Sequence, residues 1–153
     1  MVNENITPIK EKDFDELIHL FREFSIFEKS PEKMINSKEK MILEKDYIHG
    51  FIARGENDEI MGYATCFFTY HTWVGKSLYM DDLYVKERYR GKGVGSRLIK
   101  KVIAFAKEKE CNKLRWQVSN WNASAIEFYK KIGADINDVQ LNCDLTLSAN
   151  NNI

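Results

Sequence analysis

Proline is almost missing from this chain: Pro8 and Pro31 are its only two in 153 residues. No Pro-, Gly- or Ser-rich stretch and no internal repeat interrupts it. Nothing therefore marks a linker, and a single domain over residues 1–148 is expected, followed by an asparagine-rich tail, 149–153, that frays. Cysteine is sparse and odd in number. Cys66, Cys111 and Cys143 form no CxxC pair, which argues against a disulfide framework and for reduced thiols in the cytoplasm. His19, His49 and His71 lie far apart, without metal-ligand spacing, so no metal is expected. No apolar run approaches the ~18 residues that a membrane span requires, and no basic-then-apolar leader opens the chain. Neither sign of charge is in excess: 23 Lys and Arg balance 23 Asp and Glu. That balance gives no broad pull toward nucleic acid or an anionic membrane, and neither is expected as a partner.

What is present is an ordinary globular composition, 44% hydrophobic and 30% charged. A chain of this length buries roughly two-thirds of its unfolded surface, enough for a core without staples. Residues 5–8 read as a short strand. Asp13 reads as a helix cap with Glu16 as its capping-box partner. Phe14, Leu17, Ile18, Phe21 and Phe24 then recur at helical spacing, until Ser30-Pro31 stops them. A second helix is expected over 38–44. Strands are expected over 47–54, 60–70 and 77–85, separated by turns at 55–59 and 71–76. Val94, Leu98, Val102, Ile103 and Ala106 share one face of an amphipathic helix. A strand over 113–119 and a helix over 122–132 follow, the helix ended by Gly133. Val139, Leu141, Cys143, Leu145 and Leu147 alternate as a final strand. The order β-α-α-β-β-β-α-β-α-β implies an α/β protein with a mixed sheet flanked by helices.

Between the fourth strand and the amphipathic helix lies Arg90-Gly91-Lys92-Gly93-Val94-Gly95-Ser96. Glycines let backbone amides approach an anion, a helix N-terminus supplies unpaired N–H groups and partial positive charge, and Arg90 and Lys92 add formal charge. Physically this is a phosphate cradle; its plain alternative is a solvated basic turn. A Walker loop does not fit, because Lys92 precedes Gly93, and a dinucleotide fingerprint does not fit, because the third glycine comes one residue early.

The segment Arg90 to Gly95 resembles the Q/R-x-x-G-x-G/A pattern of the GNAT superfamily of acyl-CoA-dependent acetyltransferases. The preceding Leu78-Tyr79-Met80-Asp81-Asp82-Leu83-Tyr84-Val85 is similar to that family's fourth strand. Asn122-Ala123-Ser124-Ala125-Ile126-Glu127-Phe128-Tyr129-Lys130-Lys131-Ile132-Gly133-Ala134 is similar to its Asn…Ala-Ile-x-Phe-Tyr-x-x-x-Gly-Phe/Ala motif. The three occur in the family's order. The first helix ending Glu23-Phe24-Ser25-Ile26-Phe27-Glu28, the segment from Phe68 to Lys76, and Val118-Ser119-Asn120-Trp121-Asn122 narrow the likeness to the branch acting on diamines (spermidine and spermine) and thialysine. The likeness runs from about residue 5 to 134. The branch's Glu-Gly-Trp-like stretch is missing from 135–140, which leaves the acceptor amine open.

The resemblance implies a GNAT-type domain whose splayed strands hold acetyl-CoA. Backbone groups of Leu83, Tyr84 and Val85 would pair with the pantetheine arm. Arg90 and the amides of Gly91, Lys92, Gly93, Val94, Gly95 and Ser96 would hold the pyrophosphate. Asn122 and Ser124 would contact the CoA chain, although Asn122 also suits a helix N-cap. Tyr129 is the implied acid: a phenol of pKa about 10 stays protonated at neutral pH and can donate to a leaving sulfur. Otherwise it is a core-face aromatic beside Phe128. Asp81 is the implied amine-binding or amine-activating carboxylate. Adjacent strand residues face opposite sides, so Asp81 and Asp82 can share a pocket only if a bulge intervenes; otherwise one of them pairs with a neighbouring strand. Phe27 and Glu28 would form the far pocket wall, or Glu28 is a solvated helix-end acid. No cysteine lies near these motifs, so direct acetyl transfer to a small primary amine is expected. The resemblance also implies a homodimer. The alternatives are acetylation of a protein N-terminus or lysine, and a non-catalytic acyl-CoA-binding module.

Overall fold

The computed structural model describes residues 5–148; the expected frayed tail lies outside the described residues. The described chain forms two compact units, one ending at Gln117 and the other beginning at Val118.

The first unit is a five-stranded mixed sheet in the order β1-β2-β3-β4-β5: β1 (Asn5–Pro8), β2 (His49–Arg54), β3 (Ile60–His71), β4 (Gly75–Val85) and β5 (Leu114–Arg115). The first four strands are antiparallel neighbours, and β5 joins β4 in parallel. The parallel step requires a crossover. It is supplied by α3 (Val94–Glu108).

One face of the sheet is covered by α1 (Phe14–Phe27) and α2 (Lys38–Leu43). The helical spacing of Phe14, Leu17, Ile18 and Leu20 places them, with Met41, in one buried cluster with Ile52, Ile60, Tyr63 and Tyr84 of the strands. Each large apolar side chain so buried contributes roughly 1.5–3 kcal/mol. Val94, Leu98, Ile99, Val102 and Ala106 form the buried stripe of α3, which packs against β2, β3 and β4.

Two details differ from the sequence reading. Asp13 makes no capping box with Glu16. Its buried carboxylate accepts from the Lys10 amide at 2.8 Å and pairs with Arg54 Nη2 at 2.9 Å, while Glu16 takes Arg54 Nη1 at 3.2 Å. A guanidinium from β2 thus outcompetes the local cap, because a buried carboxylate needs a charged partner. The strand expected over 113–119 is reduced to Leu114–Arg115, which pairs only with Leu78 and Tyr79. Beyond Tyr79, among the described residues, β4 continues to Val85 with a strand neighbour on its β3 side alone.

The second unit contains α4 (Ala123–Lys131). Asn122 caps it, its side chain accepting from the Ala125 amide at 3.3 Å. Gly133 follows the helix at φ +89°, and the Ala134 amide reaches back to the Tyr129 carbonyl at 3.1 Å. The expected final strand is absent among the described residues. Val139, Leu141, Leu145 and Leu147 alternate as expected but remain exposed. Alternation makes a strand only where a neighbour accepts its ladder hydrogen bonds, and this segment has no strand partner among the described residues.

Candidate active site

The site in the first unit begins with a register error. Thr65 on β3 faces Asp82, but the next residue, Cys66, faces Met80. Asp81 is the extra residue of a β-bulge. The bulge removes the parity that would send adjacent side chains to opposite faces. Asp81 and Asp82 accordingly line one cleft of about 600 Å³, together with Phe24 and Glu28 of the α1 end, Lys33, Met34, His49, Thr65, Cys66 and Phe67. The sequence expectation that a bulge must intervene is met.

The two carboxyls differ. Asp81 keeps a solvent-facing side, and partial desolvation draws its pKa up from the usual carboxylate range. Asp82 sits deeper. Burial first, then the charges of Asp81 and Glu28, push its pKa up to about 7, against a hydrogen bond from Tyr63 that lowers it. Tyr63 Oη donates to Asp82 Oδ2 at 3.0 Å, and the Asp82 amide donates to Thr65 Oγ1 at 3.2 Å. Tyr63 is fully buried, its ring 5.1 Å from Phe21 and 6.0 Å from Tyr84. Burial, then Asp82, holds its phenol well above the usual value, so it stays a donor. Sequence reasoning missed Tyr63, because an aromatic in an apolar strand reads as core and its partner is 19 residues away.

Three placements depart from the sequence reading. Cys66 lies in the cleft wall rather than away from the site. Burial, then Cys111, pushes its thiol up to about 12, so at neutral pH it is a poor nucleophile. Phe27 is not in the cleft wall. Its ring lies beneath the Arg90 guanidinium at 4.7 Å and 6.4 Å from the Tyr84 ring. Arg90 is also tied down: its Nε donates to the Val85 carbonyl at 2.8 Å.

The glycine loop has the form expected of an anion cradle. Gly91 (φ +73°) and Gly93 (φ +80°) take left-handed backbone conformations, and Gly93 is the N-cap of α3. A Cβ on Gly93 would sit 2.8 Å from Arg97 Nη1. The first amides of α3, at Val94, Gly95 and Ser96, have no carbonyl one turn back to bond. Lys92 adds its charge beside the Tyr89 ring. The β4 edge at Leu83, Tyr84 and Val85, which has no strand neighbour on its β5 side among the described residues, leads into this loop through a short 3₁₀ turn, Glu87–Tyr89.

In the second unit, the hydrogen bonds of Asn122 are internal: besides the cap, it accepts from Ser124 Oγ at 3.3 Å. Tyr129 is the buried residue of α4, with its ring 5.4 Å from Phe128.

Residues 14–134 match the family model described as acetyltransferase (GNAT) family. Thialysine N-epsilon-acetyltransferase of Bos taurus is 36% identical over 140 residues, covering 84% of this chain and 82% of that protein. Spermidine/spermine N(1)-acetyltransferase-like protein 1 of Homo sapiens is 38% identical over 74 residues, 48% of this chain and 11% of that one. Among solved structures, aminoglycoside N-acetyltransferase AAC(6')-Iy in complex with CoA superposes with a TM-score of 0.76 at 14% identity, over 96% of this chain and 97% of that one. The bulged acidic strand, the glycine-capped helix and these matches agree: the chain belongs to the GNAT acetyltransferase family and is an acyl-transferring enzyme.

Proposed function

We propose that this enzyme transfers the acetyl group of acetyl-CoA directly to a primary amine of a small cationic molecule, of the polyamine or thialysine type. The observation that carries this reading is the pair Asp81 and Asp82, brought into one cleft by the bulge on the strand that leads to the glycine loop. Two carboxylates with Glu28 nearby favour a compact ammonium, and the names of the relatives from Bos taurus and Homo sapiens support the same class. The family match spans both units, which supports one domain over residues 1–148. The three cysteines, all unpaired thiols, support a cytoplasmic setting.

In this reading the pantetheine arm pairs with the open edge at Leu83, Tyr84 and Val85. The pyrophosphate takes the amides of Gly91 through Ser96, with Lys92 adding charge and Arg90 shaping the loop. Asn122 and Ser124 contact the CoA chain. The ammonium gives one proton to the carboxylate pair. The freed amine attacks the thioester carbonyl; the C–N bond forms, and a backbone N–H at the bulge stabilises the oxyanion. Collapse breaks the C–S bond. Tyr129 protonates the departing sulfur and recovers its proton from the nitrogen's second one by way of solvent. The products are the amide, free CoA thiol and one released proton. Similarity of the segment from Asn122 to Ala134 to the family motif supports the role of Tyr129, and the high pKa of Cys66 supports direct transfer over an acyl-cysteine.

Thiol release measured over polyamines, thialysine and lysine, amino sugars and peptides tests the reading. Turnover on small diamines or lysine analogues is expected; turnover on peptides alone would transfer the assignment to protein acetylation, and none at all would leave a CoA-binding module. A homodimer is part of the proposal, supported by the exposed Val139, Leu141, Leu145 and Leu147, which a second copy can cover. Light scattering at micromolar concentration should give twice the monomer mass of 17.9 kDa; a monomer would refute it.

A further inference from the structure

Asp81 and Asp82 share a cleft, but only Asp82 is held from inside the fold. Tyr63 Oη donates to its Oδ2, and Thr65 Oγ1 accepts its amide. The first contact fixes the carboxyl through Oδ2 in the wall of the cleft; the second fixes the backbone at the bulge. We propose that Tyr63 is a positioning residue and that Asp82, oriented by it, is the group that takes the proton from the substrate ammonium, while Asp81 binds the ammonium charge at the mouth. This rests on the reading of the cleft as the amine site.

The groups facing Asp82 set its proton affinity. Asp81 adjoins it on β4, Tyr63 donates from β3, and Glu28 approaches from the end of α1. His49 of β2, Lys33 of the 3₁₀ turn after α1, and the protonated Cys66 line the same cleft. Burial, then Asp81 and Glu28, raise Asp82 against the Tyr63 hydrogen bond and hold it near 7. An ammonium of the lysine type has a pKa of about 10.4 and an ordinary aspartate about 3.9. Proton transfer to an ordinary aspartate is thus uphill by about six pH units, and to Asp82 by about three. The population of complexes in which the amine is free and its proton rests on the carboxyl rises about a thousandfold by that difference. The N–H bond that breaks leaves its electron pair on nitrogen for the attack. The proton rests on Asp82 and returns to solvent past the exposed Asp81 after the amide departs. Tyr63 keeps the balance: its hydrogen bond stops Asp82 from rising so far that it is already protonated when the ammonium arrives.

The test is the pH profile of single-turnover acetylation, with acetyl-CoA and thialysine or spermidine as probes, for wild type, Tyr63→Phe, Asp81→Asn and Asp82→Asn. Removing the Tyr63 donor should move the acidic limb upward by about one pH unit. The rate should then fall roughly tenfold at pH 6 and change little at pH 9. Asp81→Asn removes a repelling charge and should move the limb downward. Asp82→Asn should abolish the limb and lower the plateau about 10²–10³-fold. A uniform loss across pH in Tyr63→Phe, or a limb that survives Asp82→Asn and vanishes in Asp81→Asn, would overturn the proposal. Carbon-13 NMR titration of the aspartate carboxyls reads the hydrogen bond without turnover: the Asp82 midpoint should lie near 7 and rise in Tyr63→Phe. An unmoved midpoint in a folded variant would likewise overturn it. If wild type acetylates no amine, the base assignment falls with the function, and the midpoint still reports whether Tyr63 holds Asp82.

Discussion

Two regions of the first unit handle charge by opposite means. At the start of α3 the polarity belongs to the backbone: Gly91 and Gly93 turn the chain, and the first helix amides have no carbonyl one turn back to bond. In the cleft it belongs to side chains, and each depends on something remote: Asp81 on a register slip, Asp82 on Tyr63. A backbone site is set by its own short run of residues. A side-chain site is set by whatever the rest of the sheet brings to it. The first should therefore fail by losing its ligand, and the second by losing its proton chemistry.

The largest effect is expected at neither region. If both regions only bind and deprotonate, the leaving sulfur needs its own acid. Tyr129→Phe should then cut the single-turnover rate by about 10²–10⁴ while leaving CoA affinity and melting temperature nearly unchanged. A wild-type rate would make Tyr129 a packing residue beside Phe128. At the glycine loop, CoA at about 100 times its dissociation constant should stabilise wild type by about 2.7 kcal/mol, a rise in Tm of roughly 5–10 °C. Gly93→Asp should abolish that rise, since it adds a negative charge and a Cβ against Arg97. A shift that persists would remove the pyrophosphate from this loop.

In the cleft, the expected effect concerns pH. The carboxyl of Asp82 binds its proton more tightly folded, near 7, than unfolded, where the usual value is 3.8. Between those values the native state holds more protons, so this group's contribution to stability is complete below about 3.8 and is lost as pH rises to about 7. Asp82→Asn should flatten the melting temperature over that window and raise it near neutrality; a profile as steep as wild type would assign the titration elsewhere. The smallest change is Thr65→Val. It strips the partner from the Asp82 amide at the bulge and should cost about 1 kcal/mol in urea denaturation. No loss would mean that the bulge is held by β3 and β4 pairing alone.

The difference between the regions also explains what was legible in the sequence. The glycine loop, the capping Asn122, the stripe of α3 and the antiparallel run of β2, β3 and β4 are local patterns, and the chain displays them in order. The cleft was half visible. Asp81 and Asp82 stood out as adjacent acids needing a bulge, but nothing in the alternation of β3 marks the slip at Thr65–Cys66. Tyr63 and Cys66 were hidden for the same reason, since both read as core. The final strand failed in the opposite direction. Val139 to Leu147 carries a strand's pattern, but pairing is a property of two segments, and no local pattern supplies the second.

The bulge changes how this site can be gained or lost. A regular strand cannot present neighbouring side chains to one cleft, whatever residues are placed on it. The single unpaired residue at Asp81 makes that possible. The step that separates an ordinary strand from this one is therefore a change in length by one codon rather than a change of residue. Deleting that one residue would leave β4 a sound strand, with its hydrophobic pattern back in phase with β3. The cleft would lose its paired acids at a stroke, and a scan of point substitutions along the strand would never sample that event.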